Sequence, residues 1–284
     1  MNIDCDKLLR CAVRTARAAA GHAFSNTARR LDAARTAPHD VKLKLDLECQ
    51  ALARKTIRSC FPKHRVIGEE DAASATMSMP DFTFASRPPR GDADDRDFTW
   101  IVDPIDGTVN FSHGLPLWCC SVAVAVRNEI VAGAVYAPAL KECYAAGVHG
   151  PATCNGAPIR VSGIGRLADA MVATGMDRVP GMRTKPYAFA NALAARTQRA
   201  RILGSATLDL CFVAKGIADG YFEAGIYIWD IAAAGIIVRQ AGGQIDVVGR
   251  FPGNRLAFLA SNGRIHRAMK SVIRKAAGMG TLDT

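Results

Sequence analysis

The sequence predicts a layered α/β or α+β fold. Three observations carry this expectation: β-rich runs alternate with helical periods, no internal repeat interrupts them, and the 284 residues are 49% hydrophobic and 22% charged. That length and composition suffice for a large core and exclude a chain that is disordered by default. The expected organisation is a single domain over 1–284, with an N-terminal α+β part to about residue 165 and a C-terminal α/β part from about residue 166.

The elements follow in order. Leu8, Leu9, Val13 and Ala16 recur at helical spacing across residues 4–20, and a second helix runs from Asp46 to Ser59 before "FPKH" stops it. "RVIGEED" reads as a short strand ending in acid. Residues 71–98 are rich in Ser, Pro, Asp, Arg and Gly without periodicity, which predicts a mobile surface loop. Trp100, Ile101 and Val102 then form a buried strand that meets abrupt polarity at Asp103. Pro104 biases Asp103 towards extended backbone, Asp106-Gly107 is turn chemistry, and "TVNFSHG" forms a short helix ending near Gly114. Two β-rich runs flank Arg127-Asn128-Glu129 and predict an antiparallel hairpin. Beyond residue 170 come a strand near "MVATGM", a helix over about 185–198, "RILGS", a helix over about 206–215 and "DGYFEAG". A helix from Asp230 to about Ala241, the runs "QIDVV" and "LAFLASN", and a terminal helix complete the chain.

Composition narrows the function. No apolar run is long enough to span a bilayer, and the opening "MNIDCDKLLR" has acids where a signal peptide has a basic end, so a cytoplasmic protein without membrane association is expected. The nine cysteines show no metal-ligand spacing and read as reduced and mostly buried. The net charge of +10 is scattered, with no interleaved basic and aromatic run, so an anionic small substrate explains it as well as a nucleic acid does.

Four places put carboxylates at element ends: Asp46, Glu69-Glu70, Asp103 with Asp106, and Asp230. Each has a local explanation. Asp46 and Asp230 suit helix N-caps, Glu69 and Glu70 a solvated loop, and Asp106 a turn. If they converge, they repel one another unless cations neutralise them, and Mg²⁺ suits carboxylate, carbonyl and water oxygens while leaving positions for phosphate. Gly107 permits close backbone approach, Thr108 offers a hydroxyl, and a helix N-terminus there presents free N–H groups to phosphate. Metal-assisted hydrolysis of a phosphate ester is the coherent chemistry.

"IGEE", "WIVDPIDGTVNF" and "WDIAAAGIIVRQAGG", in that order, closely resemble the three signatures of the inositol monophosphatase family, within the lithium-sensitive, Mg²⁺-dependent phosphatase superfamily. The likeness runs from about Asp46 to Gly243. It implies the αβαβα sandwich of the inositol monophosphatase and fructose-1,6-bisphosphatase type, and a Mg²⁺-dependent phosphomonoesterase. Carried over by position, Glu69, Asp103 and the Ile105 carbonyl hold a first metal, Asp103, Asp106 and Asp230 a second, and Asp46 helps hold a third metal or its water. Gly107 and Thr108 bind phosphate, and water activated by metal and oriented by Thr108 with the acids Glu69 and Asp46 attacks phosphorus in line.

"RILGSA" and "YFEAGIYIWD" resemble the segments that contact an inositol ring, which places Gly204, Ser205, Ala206 and Glu223 beside its hydroxyls, next to Asp106 and Asp230. A carboxylate accepts hydrogen bonds from two hydroxyls, so Glu223 favours a polyol such as inositol monophosphate. Fructose 1,6-bisphosphate, histidinol phosphate and 3'-phosphoadenosine 5'-phosphate are the alternatives within the same chemistry. Trp229 reads as packing that fixes Asp230. The resemblance also implies a homodimer, to which the apolar hairpin over 117–137 could contribute, and some members bind transcription machinery or RNA. The chain departs from the family at "VKLKLD": Leu43 stands where a threonine is usual, with lysines at 42 and 44. A lysine there can neutralise phosphate or occupy cation space.

Overall fold

The computed structural model describes residues 4–37, 40–71, 79–87, 89, 91–176 and 186–278. Helix α1 (Cys5–Ser25) starts where the Asp4 carboxylate accepts the Lys7 N–H at 2.8 Å, and its buried face is mostly alanine, which permits close packing. A hairpin of β1 (Ala33–Ala37) and β2 (Asp40–Leu43) follows, which the sequence pattern did not show. Helix α2 (Lys44–Cys60) begins two residues before the expected start, so Asp46 sits in its first turn instead of capping it.

β3 (Arg65–Gly68), β4 (Thr83–Phe84), β5 (Phe98–Asp106), β6 (Cys119–Val126), β7 (Glu129–Ala137), β8 (Glu142–Gly147), β9 (Thr153–Cys154) and β10 (Ala157–Pro158) build the larger sheet, with the short helix α3 (Thr108–His113) after β5. Its order is β10-β9-β8-β7-β6-β5-β3, antiparallel throughout except that β3 lies parallel to β5, and β4 adds parallel to β7. The expected β6–β7 hairpin turns at Arg127 and Asn128, whose φ values of 50° and 67° are the mirror-image turn that matches strand twist.

The predicted mobile loop is corrected over its described part. Phe82, at 4% exposure, and Ala85 are buried, Thr83 and Ala85 donate to the Asn128 and Ile130 carbonyls, and Arg239 donates to the Phe84 carbonyl at 2.6 Å. A composition-based reading missed this because two phenylalanines in a polar run are enough to anchor it. Residues 72–78, 88 and 90 of that loop, and residue 185 of the helix predicted over about 185–198, lie outside the described residues.

β11 (Met171–Thr174), α4 (Pro186–Ala194), β12 (Arg199–Arg201), α5 (Ala206–Ala214), β13 (Gly220–Ile226), α6 (Ile228–Gln240), β14 (Gln244–Phe251), β15 (Arg255–Ser261) and α7 (His266–Ala277) complete the chain. The smaller sheet has the order β12-β11-β13-β15-β14, with β12, β11 and β13 parallel. From β12 the chain returns through α5 to the far side of β11, a reversal of strand order that opens a crevice at the carboxyl ends of these strands.

Three cores stack these elements into five layers. α1 and α2 cover one face of the larger sheet, α5 and α6 fill the space between the two sheets, and α4 and α7 close the outer face of the smaller one. This is the αβαβα order that the resemblance implied. α6 meets the larger sheet backbone to backbone at Gly133 in β7, where a β-carbon would lie 2.6 Å from Ala233 Cα and 2.8 Å from its carbonyl oxygen. Gly133→Ala must therefore push α6 off the sheet, and the expected loss is about 1–3 kcal/mol of stability in urea unfolding. A midpoint equal to wild type would contradict this packing.

Candidate active site

Two sets of strand ends and four helix starts meet at one place. β3 and β5 run parallel, so Glu69 follows the end of one while Asp103 and Asp106 occupy the end of the other. The starts of α2, α3, α5 and α6 add Asp46, Gly107 with Thr108, Ser205 with Ala206, and Asp230.

Asp103, Asp106 and Asp230 each bring one carboxylate oxygen within 4.8 Å of the others. Asp103 Oδ1 accepts the Ile105 N–H at 3.1 Å across the proline turn. Asp106 is held by three donors: the Ser205 hydroxyl, the Thr207 N–H at 2.9 Å and, more weakly, the Cys119 thiol at 3.8 Å. Asp230 stands in the first turn of α6, not at its cap, and its Oδ2 accepts the Tyr227 N–H at 2.7 Å, while Thr207 Oγ1 donates to its carbonyl at 2.8 Å. Asp46 repeats this in α2, where Oδ2 accepts the Leu43 N–H at 2.7 Å and Oδ1 is buried without a hydrogen-bond partner. Because Leu43 and Tyr227 cap without a side-chain bond, both aspartates reach back to the cap N–H from inside the helix.

The acids act on one another. Burial, then Glu69, Asp106, Asp230 and Asp46, hold the Asp103 carboxyl well above the usual carboxylate range. Burial pushes Asp106 up to about 6 against its three donors. Burial raises Asp46 to about 8; the Leu43 N–H opposes this, Glu69 and Glu70 add to it, and Lys42 counters them. Glu70 itself pairs with Lys42 at 3.1 Å and stays out of the triad.

Gly107 and Thr108, the residues expected to bind phosphate, lie on tightly turned backbone at the start of α3. Gly107 has φ 87°, and a β-carbon there would meet the Leu117 carbonyl at 3.0 Å and the Gly204 carbonyl at 3.2 Å. Thr108 Oγ1 donates to the Ile105 carbonyl at 2.9 Å. Asn110 ties α3 to the next segment by donating to the Leu117 and Leu203 carbonyls at 2.7 and 2.8 Å. Trp229 is buried and stacks on Tyr227 with ring centroids 4.6 Å apart, consistent with packing.

A cavity of about 200 Å³ opens beside the triad, lined among others by Asp106, Asp230, Gly204, Ser205, Asp209 and Glu223. Glu223 Oε2 accepts the Tyr221 hydroxyl at 2.7 Å, and its carboxylate lies so close to Gly175 that a β-carbon there would sit 1.8 Å away. Ser205 turns its hydroxyl to Asp106, so it braces a carboxylate in addition to lining the cavity. Sequence reasoning missed Thr207, Cys119, Gly175 and Asp209. Only Asp209 had a visible signal, as an acid inside the apolar helix "ATLDLCFVA"; burial, Glu223 and Asp106 hold it well above the carboxylate range, and its Oδ1 is buried and unpartnered.

The residues fit a hard divalent cation. The donors are carboxylate oxygens, no histidine joins the triad, and the raised carboxyls record negative charge that wants a counter-charge.

The sequence model of the inositol monophosphatase family matches residues 4–277. The chain belongs to the inositol monophosphatase family. Inositol monophosphatase 2 of Homo sapiens is 36% identical over 214 residues, 74% of this chain and 69% of its own length. Nus factor SuhB of Haemophilus influenzae is 34% identical over 241 residues, 84% of each chain. The Anabaena inositol monophosphatase structure aligns at 28% identity with a TM-score of 0.76, covering 96% of this chain and 97% of that one. Mycobacterium tuberculosis SuhB aligns at 26% identity with a TM-score of 0.79, covering 98% and 100%. Membership makes the chain a phosphatase with a small-molecule phosphate substrate, in a family that is generally metal-dependent. Among the described residues no helix is long and apolar enough to cross a membrane.

The electrostatics have a direct consequence for stability. Unfolded, Asp46 and Asp106 ionise near the usual value of 3.8; folded, they keep their protons to about 8 and about 6. In chelator, stability is therefore full below the unfolded value and falls as pH rises through those folded values, by up to about 1.4 kcal/mol per pH unit for each group. Asp46→Asn removes its share of the slope, and Mg²⁺ flattens the wild-type profile. Urea unfolding from about pH 4 to about pH 8 measures this, and identical slopes for wild type and Asp46→Asn would contradict it.

Proposed function

We propose that the chain is a Mg²⁺-dependent, lithium-sensitive phosphomonoesterase that hydrolyses inositol monophosphate or a similar polyol phosphate to the alcohol and inorganic phosphate. The observation that carries this reading is the Asp103, Asp106 and Asp230 triad beside a cavity that also holds Glu223. Family membership supports it from outside.

Asp103, Asp106, Asp230, Glu69 and the Ile105 carbonyl would hold the metal ions. Bound there, Mg²⁺ would neutralise phosphate oxygens and lower the pKa of a bound water. The chain's own groups set the geometry. Thr108 Oγ1 donates its hydrogen bond to the Ile105 carbonyl, so its oxygen is left as an acceptor for the O–H of an incoming water. Gly107 and Thr108 lie where the chain turns into α3, and their backbone N–H groups suit phosphate. Ser205 and Thr207 stop Asp106 from turning away. Tyr221 fixes one oxygen of Glu223, and Gly175 leaves its carboxylate room to accept vicinal hydroxyls along with Gly204, Ser205 and Ala206.

The reading extends to a cytoplasmic homodimer whose single domain has two sub-domains meeting near residue 165. A second role, binding nucleic acid or transcription machinery, is favoured by the relatives named Nus factor SuhB and by the net charge of +10.

Phosphate release from inositol 1-phosphate, fructose 1,6-bisphosphate, histidinol phosphate and 3'-phosphoadenosine 5'-phosphate, with and without Mg²⁺ and Li⁺, tests this. Inositol phosphate should be preferred in Mg²⁺ and inhibited by Li⁺. Asp103→Asn should lower activity by about 10²–10³-fold, and Glu223→Gln should raise KM for inositol phosphate about tenfold with kcat little changed. Preference for another ester would overturn the substrate, and silence on all four would overturn the activity. A binding role would survive Asp103→Asn, and light scattering of the same preparation showing a monomer would refute the dimer.

A further inference from the structure

Asp209 is the one acid in α5, a helix buried along most of its length, and it is itself only 1% exposed. The helix does not need it as a cap. Ser205 already caps α5 by accepting the Leu208 N–H at 3.3 Å, and Asp209 stands one position beyond the place from which Asp46 and Asp230 reach back to their own cap N–H groups. Its burial is also uncompensated, since among the described residues Oδ1 has no hydrogen-bond partner. A buried polar atom left in that state destabilises the fold, so an acid here carries a cost that alanine at the same helical position does not.

The surroundings of Asp209 supply a reason for it. Asp209 and Glu223 line the same cavity beside the triad, one from α5 and the other from β13, with Gly204 and Ser205 in the same wall. The two carboxyls are not equivalent. Glu223 Oε2 accepts the Tyr221 hydroxyl at 2.7 Å, so Glu223 works as an acceptor. Burial and then the Glu223 charge favour the protonated form of Asp209, which donates one hydrogen bond and keeps an oxygen free to accept. A donor and an acceptor in one cavity wall match adjacent hydroxyls of a polyol, because each hydroxyl can play either part.

We propose that Asp209 is a substrate-binding residue: it hydrogen-bonds a hydroxyl on the alcohol half of the ester, next to the hydroxyl that Glu223 accepts, and so helps to set the preference for a polyol. This rests on the polyol-phosphate reading above and adds a second carboxyl to it. The unpartnered oxygen then has its partner in the substrate, and the stability lost in the free protein is exchanged for discrimination between esters.

The test compares inositol 1-phosphate with cyclohexyl phosphate, the same ring without hydroxyls, in Mg²⁺ on the full chain. Asp209→Ala should lower the preference for inositol 1-phosphate about tenfold, through KM and with kcat little changed, while cyclohexyl phosphate is turned over as before. Asp209→Asn, which keeps a donor and an acceptor at that place, should retain most of the preference. In urea unfolding, the midpoint of Asp209→Ala should be no lower than that of wild type. An unchanged preference in Asp209→Ala, or a lowered midpoint with equal losses on both esters, overturns the inference and leaves the polyol reading intact. Wild type that hydrolyses neither ester, or both equally, overturns the polyol reading and the inference with it.

Discussion

Carboxylates confined together repel, and everything at this site answers to that repulsion. Asp103, Asp106 and Asp230 place oxygens within 4.8 Å of each other, and Glu69 and Asp46 raise Asp103 further. At an effective dielectric of about 20, each ionised pair at that distance opposes folding by about 3 kcal/mol. Three such pairs rival the whole net stability of an ordinary domain, about 5–15 kcal/mol. The cluster must therefore hold protons or cations. A phosphatase is served by cations, because protonated carboxyls are poor metal ligands and bare carboxylates repel phosphate.

The five-layer packing makes the confinement possible. Alanine faces let α1 approach the larger sheet, and Gly133 lets α6 press onto β7, so the start of α6 delivers Asp230 to the end of β5. Helix N-termini carry partial positive charge, and four of them start at this point. Their N–H groups also take up one oxygen each of Asp46, Asp106 and Asp230, which fixes direction and leaves the other oxygen to the cluster. Repulsion is thus countered by dipoles and by hydrogen bonds.

What could be read in the sequence was what local chemistry writes. Asp103-Pro-Ile-Asp106-Gly107 announces a strand end and a turn on its own residues, and Gly114 marks the end of α3. The Arg127-Asn128 turn was equally plain. The order of the five layers was not, because periodicity distinguishes helix from strand but not which face meets which; the family signatures supplied it. The β1–β2 hairpin escaped because "AARTA" and "DVKL" lack a clear apolar alternation. Thr207 and Cys119 reach Asp106 only through the folded chain, from positions that have no local reason to be polar or reduced. Asp209 was visible as an oddity in an apolar helix, yet its place beside Glu223 depends on the crevice between β11, β12 and β13.

The central claim is that these acids are gathered to hold divalent cations. Anomalous diffraction from Mn²⁺-soaked crystals tests it most directly. The prediction is a peak about 2.0–2.2 Å from carboxylate oxygens of Asp103, Asp106 and Asp230, absent from Asp103→Asn crystals treated alike. Clean density for the triad with no peak at saturating Mn²⁺, or peaks only elsewhere on the surface, would contradict it.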